Sequence, residues 1–235
     1  MFTEKTPGTT AVELDAASSQ SKLSRRKFFG ISSAFVAAAA IASCKNDDGP
    51  MGNTGIDFGS GDVGVLNYAY ALEQLEAAFY VKVAQSFYSG ITPTERAYLS
   101  DIRDHEVAHR EFFKAAITAA GATPLQDLEV NFSSINFGDR ASVLNTAMAF
   151  EDLGVNAYNG AGKLITNPDY LVIAGKIVSV EARHAATIRD LLSYGTFANS
   201  VDMNGLDSAK TPAQVLAIAG TYITTQLNAS NLPTS

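Results

Sequence analysis

The sequence contains a single cysteine among 235 residues. One thiol cannot form an internal disulfide, a thiolate zinc site or an iron–sulfur cluster, because each of these needs several cysteines. Tryptophan is absent and histidine occurs three times, so few positions are open to imidazole chemistry. Charged residues make up 17% and the formal net charge is −7, which argues against a nucleic-acid partner because phosphate binding needs clustered Lys and Arg. Hydrophobic residues make up 46%, enough for one domain with a sizeable core or two small ones.

Long apolar runs are also missing, and the run near the N-terminus has the length found in signal peptides. It extends from Ile31 to Ile41, whereas a membrane-spanning helix needs about 20 apolar residues. Arg25 and Arg26 precede it and are followed by two phenylalanines, which resembles a twin-arginine (Tat) export signal. We therefore predict that residues 1–43 are a Tat-type signal peptide.

The lone cysteine follows this run closely. The sequence Ile41-Ala42-Ser43-Cys44 resembles a lipobox, in which the cysteine is acylated and becomes the first residue of the mature lipoprotein. This predicts an exported protein of the cell envelope, periplasmic or on the surface, with a lipid on Cys44 as its membrane anchor. A basic anchor helix with a chance cysteine is the alternative. Residues 44–62 are rich in Gly, Asn and Asp, which predicts a flexible tether.

After the tether, apolar residues recur at spacings of three and four, which predicts amphipathic helices. Two helix starts carry a capping box with Pro at the first helical position, at Thr92-Pro93-Thr94-Glu95 and at Thr211-Pro212-Ala213-Gln214. No convincing β-strand pattern is visible. We predict five helices, at about 63–89, 92–121, 138–165, 167–195 and 211–227.

The lengths of the connections predict how these helices are arranged. The first-to-second and third-to-fourth connections are only a few residues long, whereas residues 122–138 form a long connection whose apolar side chains we expect to pack across the bundle. Short, long and short connections give two antiparallel hairpins joined by one crossover. The prediction is an all-α four-helix bundle over residues 63–195, followed by a C-terminal extension, residues 196–235, that carries the short fifth helix.

Two of the predicted helices carry the same short motif. The second helix contains Glu106-x-x-His109, and the fourth contains Glu181-x-x-His184. Residues three apart lie on one face of a helix, so each motif presents a carboxylate and an imidazole together. About 0.1 such pairs are expected by chance in this composition, so two are unusual.

The other two helices carry a second matching pattern. Glu73 is followed two turns later by Tyr80, and Glu151 is followed two turns later by Tyr158, so each Tyr lies on the same face as its Glu. The two hairpins therefore repeat each other. Both glutamates lie among apolar neighbours, where a carboxylate without a partner is costly.

This combination is similar to the ligand set of the ferritin-like di-iron carboxylate proteins, with a spacing that resembles bacterioferritin and rubrerythrin. The stretches around the first and third glutamates resemble an exported ferritin-like branch related to plant desiccation-related proteins. The resemblance covers about residues 63–195 and implies a ferritin-like bundle holding two iron ions, with manganese or a mixed iron–manganese pair as alternatives. The implied metal ligands are Glu73, Glu106, His109, Glu151, Glu181 and His184. On the family pattern, Glu106 and Glu181 bridge the ions and the other four are terminal ligands.

These residue types suit such a centre. Four carboxylates cancel the charge of two divalent ions, and two imidazoles leave coordination positions open for oxygen or peroxide. Without metal the carboxylates would repel one another, so some should hold protons. Tyr80 and Tyr158 are expected to hydrogen-bond in the core near the ligands, with a redox role as the alternative. His105 points about 100° away from the preceding ligand motif, which predicts a place behind the ligands or on the surface.

Glu76 lies one turn after Glu73 and could compete with it as a ligand. The internal repeat aligns Glu76 with Gly154 and so favours Glu73. Two departures from the family limit the cofactors: the single cysteine excludes the four-cysteine iron domain of rubrerythrin, and Val107 occupies the place of the haem-binding Met of bacterioferritin. We therefore expect no haem and no iron–sulfur cluster.

The resemblance implies a redox protein that reacts with oxygen or peroxide, as a ferroxidase, a peroxidase or a catalase-like scavenger in stress protection. The alternatives are metal sequestration without turnover and a stress-related structural lipoprotein. A lipid anchor suits a monomer or a small oligomer such as a homodimer better than a storage cage.

Overall fold

The computed structural model describes residues 55–234. The predicted signal peptide, its Arg25–Arg26 pair, the lipobox Cys44 and the first part of the predicted tether lie outside the described residues. Within them, the chain is mostly helical, and no helix is both long and apolar enough to cross a membrane.

The described residues form five α-helices and two very short parallel strands, so the predicted all-α class is confirmed. The strands are β1 (Ile56–Asp57) and β2 (Leu227–Asn228). The helices are α1 (Gly61–Gln85), α2 (Pro93–Ala119), α3 (Arg140–Ala161), α4 (Pro168–Leu192) and α5 (Pro212–Ala219), with a 3₁₀ turn, Gly162–Leu164, after α3.

The four long helices form two hairpins, α1 with α2 and α3 with α4, and α1 also contacts α3 while α2 contacts α4. The crossover between the hairpins packs against α1, as expected. Asn67 accepts a hydrogen bond from the amide of Leu125 at 3.1 Å, and Gln74 accepts one from the amide of Leu128 at 2.8 Å. These two buried side chains of α1 satisfy backbone groups of the crossover that burial would otherwise leave unpaired.

The end of the predicted fifth helix was wrong. Helix α5 ends at Ala219, and a turn at residues 220–222 follows it before the chain reaches β2. Leu227 and Asn228 pair in parallel with Ile56 and Asp57. A two-residue strand is too short to show a periodic pattern, so this pairing could not be predicted from the sequence.

The prediction of a flexible tether is also wrong for residues 55–62. Phe58 is fully buried, its carbonyl accepts a hydrogen bond from Asn67 at 3.0 Å, and the amide of Ile56 donates to the carbonyl of Gln226 at 2.8 Å. The polar composition of the segment concealed two apolar side chains that pack on the bundle.

Polar contacts near the helix ends hold the hairpins in register. At one end, Glu95 completes the predicted capping box with Thr92 and accepts a hydrogen bond from Arg140 at 2.7 Å, while Arg140 also donates to the carbonyl of Leu191 at 2.6 Å. One carboxylate and one guanidinium therefore join α2, α3 and α4. This register brings the middles of the four long helices level with one another.

Candidate metal centre

The middle of the bundle contains a cluster of six potential metal ligands, the same six that the sequence indicated. Each long helix contributes one glutamate, and all four glutamates are completely buried. The two Glu-x-x-His helices, α2 and α4, add one imidazole each; the side chain of His184 is 6% exposed and that of His109 is 13% exposed. The glutamates are Glu73, Glu106, Glu151 and Glu181.

One half of the cluster gathers around His109. Its Nδ1 lies 2.9 Å from Glu181 Oε1, 3.5 Å from Glu73 Oε2 and 3.5 Å from Glu106 Oε2. These four atoms are close enough to one another to bind a single ion. We call this the first half-site.

The other half gathers around His184 in the same way. Its Nδ1 lies 2.9 Å from Glu106 Oε1, 3.3 Å from Glu151 Oε2 and 3.5 Å from Glu181 Oε2. We call this the second half-site. Glu106 and Glu181 each place one oxygen in each half-site, so both carboxylates are shared by the two donor sets.

The donor atoms of each half-site all lie within 4.8 Å of one another. Although they approach within 2.9–3.5 Å, the facing atoms of all four glutamates and both Nδ1 atoms have no hydrogen-bond partner in the described residues. Eight buried polar atoms that lie at ion-pair distances from one another but make no hydrogen bond would be costly in a purely structural core. Carboxylate oxygens and imidazole nitrogens are the donors that iron and manganese accept, so the residues fit a pair of such ions.

The electrostatics of the metal-free cluster follow from its burial. Burial raises the pKa of Glu73 and Glu151 to about 8, although the neighbouring imidazoles lower it. Burial alone would lower the pKa of His109 and His184, but contacts with the glutamates outweigh it and raise both. Burial alone would raise the pKa of Glu181, but the two imidazoles lower it to about 2. At neutral pH the metal-free cluster therefore keeps protons on the two imidazoles and on the two terminal carboxyls.

Two tyrosines hold the terminal glutamates across the bundle. The hydroxyl of Tyr80 on α1 donates to Glu151 Oε1 on α3, and the hydroxyl of Tyr158 on α3 donates to Glu73 Oε1 on α1. Burial raises the pKa of both phenols well above its usual value, so both remain neutral donors. The repeat seen in the sequence is therefore a reciprocal exchange of hydrogen bonds between α1 and α3.

A sequence model of the family described as "Ferritin-like domain" matches residues 61–194, which is the whole four-helix bundle and most of the chain. The chain belongs to the ferritin-like domain family. A search of curated proteins found no match.

In this ferritin-like domain, His105 is exposed on the surface and also contacts the outer side of His184 in the second half-site. Its Nδ1 is 2.9 Å from His184 Nε2, and the two rings stack with centroids 5.1 Å apart and planes 9° apart. The sequence left these two places as alternatives, because it could not show that His184 on α4 reaches the outer face of α2. A hydrogen bond to the outer nitrogen of a ligating imidazole fixes its tautomer and orientation.

Glu76 does not join either half-site. It is buried, and its Oε2 has no hydrogen-bond partner among the described residues. It faces Gly154, where a Cβ atom would lie 3.0 Å from Glu76 Oε1. Burial, followed by the negative charge of the other glutamates, raises its pKa well above the usual value. The repeat aligned these two positions, and the structure shows that the missing side chain of Gly154 makes the room that Glu76 occupies.

Sequence reasoning missed one ion pair beside the ferritin-like centre. Asp152, which follows Glu151 on α3, pairs with Arg189 on α4, and Arg189 also donates to Asn199 at 3.2 Å. The pair joins α3 to α4 next to the second half-site. Spacing within a single helix does not report a contact between two helices, so no sequence signal identified it.

Proposed function

We propose that this ferritin-like domain binds two iron or manganese ions and that these ions are oxidised by dioxygen or hydrogen peroxide. The observation that carries the proposal is the pair of overlapping donor sets that share Glu106 and Glu181. A single ion would need only one set. Two sets joined by two bidentate carboxylates match two ions held side by side.

The assignment of ligands follows the two half-sites. Glu73 and His109 would be the terminal ligands of one ion, and Glu151 and His184 those of the other. Loading the centre displaces the protons that the metal-free cluster holds, because ligands must be deprotonated to bind. Two divalent ions and four ionised carboxylates then give a neutral centre inside an apolar bundle.

When bound, two divalent ions supply one electron each. Dioxygen takes two electrons and two protons and becomes hydrogen peroxide, or hydrogen peroxide takes two electrons and two protons and becomes two water molecules. The protein keeps the reacting oxygen species away from bulk water, since the four glutamates are completely buried. Tyr80 and Tyr158 hold the terminal carboxylates in fixed rotamers by their hydrogen bonds.

We further propose that the domain acts in the cell envelope, attached by a lipid on Cys44. The twin arginines, the short apolar run and the lipobox-like position of the only cysteine support this location. Replacing Cys44 with alanine should release the protein from the membrane fraction, and replacing Arg25 and Arg26 with lysine should stop export. A Cys44→Ala protein that stays with membranes would contradict the lipid anchor.

The test of the metal centre is the metal content of the full-length protein after growth with iron and manganese. We expect two ions per chain, loss of both in Glu106→Ala because that residue serves both half-sites, and loss of one in His184→Ala. Glu111→Ala is the matched control, since Glu111 is an exposed glutamate on the same helix. No metal in the wild type after anaerobic reconstitution with ferrous iron would overturn the proposal.

Activity is then measured on the loaded protein. Oxidation of the bound ions by dioxygen or peroxide in the wild type, and none in Glu106→Ala, supports a redox function. Stable binding of two divalent ions that neither oxidant changes would favour sequestration instead.

A further inference from the structure

A small apolar cavity of about 50 Å³, partly open to the surface, lies between the four long helices, toward the end of the bundle where α1 begins. It is lined by aliphatic and aromatic side chains from all four helices, and none of the described residues that line it is charged. The lining includes Leu72, Phe113, Ala157, Tyr158, Ala161 and Ala174. This cavity has no part in the metal ligation described above.

The cavity reaches the first half-site through one side chain. Tyr158 forms part of the lining, and its hydroxyl donates to Glu73. Leu72, which precedes Glu73 on α1, lines the cavity as well. The cavity therefore borders the tyrosine that holds the terminal carboxylate of the first half-site.

The internal repeat provides a comparison for this cavity. Ala157 precedes Tyr158, and the matching residue before Tyr80 in the other hairpin is Phe79, which is completely buried. Phe79 packs against Phe150 with ring centroids 5.1 Å apart. Beside Tyr80 the bundle is therefore filled by aromatic rings.

Two other matched positions of the repeat show the same difference in size. Ala161 matches Val83, and Ala174 on α4 matches Leu99 on α2. At these positions the residue beside the cavity is smaller than its match in the other hairpin, and the cavity borders the first half-site.

The lining of the cavity indicates what kind of molecule it can bind. A water molecule needs two to four polar partners, whereas apolar cavities accept xenon or small apolar molecules. In the described residues, the only buried polar atom of the lining without a partner is the hydroxyl of Tyr68. One such group cannot replace the hydration of a peroxide or of any ion.

We propose that this cavity binds dioxygen and passes it to the first half-site, so that dioxygen rather than hydrogen peroxide is the oxidant for which the protein is built. This proposal rests on the proposed function for its redox step, in which two divalent ions give two electrons to dioxygen. The binding of an apolar gas does not depend on that step and can be tested without metal.

The first test uses xenon, an apolar atom that reports gas-binding cavities. Crystals of the metal-free full-length protein are pressurised with xenon, and we expect a xenon atom beside Ala157 and Tyr158. The other hairpin has a leucine at the place that matches Ala174. Replacing Ala174 with leucine should therefore fill the cavity and remove the xenon atom. A second filling variant, Ala157→Val, gives the same information if the first fails to fold. A wild-type cavity that holds ordered water and no xenon would overturn the proposal.

The second test compares the two oxidants on metal-loaded protein. Ala174→Leu should slow oxidation by dioxygen several-fold and leave the rate with hydrogen peroxide unchanged. The matched control is Ala186→Leu, because Ala186 is half-buried on the same helix but lines a different cleft. Equal slowing with both oxidants, or none with dioxygen, contradicts the proposal.

The outcomes separate the two proposals. If xenon binds in the cavity but the protein binds no metal, the gas site is supported and the metal centre is refuted. If the protein binds and oxidises metal but does not bind xenon, the metal centre is supported and the cavity is refuted as the entry route for dioxygen.

Discussion

The reciprocal tyrosines make a prediction in which each residue should affect one metal ion. Replacing Tyr158 with phenylalanine removes the donor to Glu73 and should weaken the ion of the first half-site. Replacing Tyr80 with phenylalanine removes the donor to Glu151 and should weaken the ion of the second. Both changes keep the ring and so leave the aromatic packing in place.

The magnitude follows from the burial of each hydroxyl. Losing a hydrogen-bond partner of a metal ligand typically costs about 10–100-fold in metal affinity, which is about 1.4–2.8 kcal/mol. Tyr80 is completely buried, so nothing replaces its hydroxyl and the loss should lie near the upper value. Tyr158 is partly exposed, so a water molecule from the surface can take over part of its role and the loss should lie near the lower value.

The assay is an anaerobic calorimetric titration of metal-free protein with ferrous or manganous ion. Each variant should weaken one of two binding steps and leave the other, and Tyr98→Phe serves as the control because Tyr98 is an exposed tyrosine on α2. Equal weakening of both steps by each variant would refute two distinct half-sites. Unchanged affinity in both variants would refute a role for the tyrosines in holding the ligands.

Three further predictions follow from the structure. The pKa values of Glu73 and Glu151 rise from an ordinary 4.5 to about 8, so the folded metal-free protein binds more protons than the unfolded chain in this interval. Its melting temperature should therefore fall as the pH rises from about 5 to about 8, and a rise would contradict the raised pKa values. Replacing Gly160 with alanine should cost about 1–3 kcal/mol in urea unfolding, because the new Cβ would lie 1.8 Å from the carbonyl oxygen of Lys210; Gly162→Ala, with its nearest neighbour 3.7 Å away, should cost nothing. Replacing Phe58 with alanine should cost about 3–5 kcal/mol by the same measurement, and a loss below about 1 kcal/mol would mean that the segment before α1 does not stabilise the bundle.

The core of the candidate site could be predicted because its pattern is local. A Glu-x-x-His motif on a helix fixes which two side chains share a face, and a Glu followed two turns later by a Tyr does the same. Repetition of both patterns then indicated which glutamates of the chain belong together. The capping boxes at Thr92 and Thr211 marked two helix starts for a similar reason, since capping depends on residues within one turn.

Contacts between helices were outside the reach of such patterns. The pairing of Tyr80 with Glu151 and of Tyr158 with Glu73 exchanges partners between hairpins, although each Tyr shares a face with the Glu of its own helix. The stacking of His105 on His184 likewise joins α2 to α4. Spacing along one helix carries no information about which residue of another helix lies opposite.

Periodicity, caps and helix faces are properties of neighbouring residues, so the helical class, the two-hairpin topology and the six side chains that meet in the core could be predicted from the chain alone. The folded structure was needed to show which atoms of Glu106 and Glu181 serve each half-site, that Ile56 and Asp57 pair with the C-terminal segment, and that alanines leave a cavity beside Tyr158. Those features depend on the distance and register between elements, which packing sets when the hairpins meet.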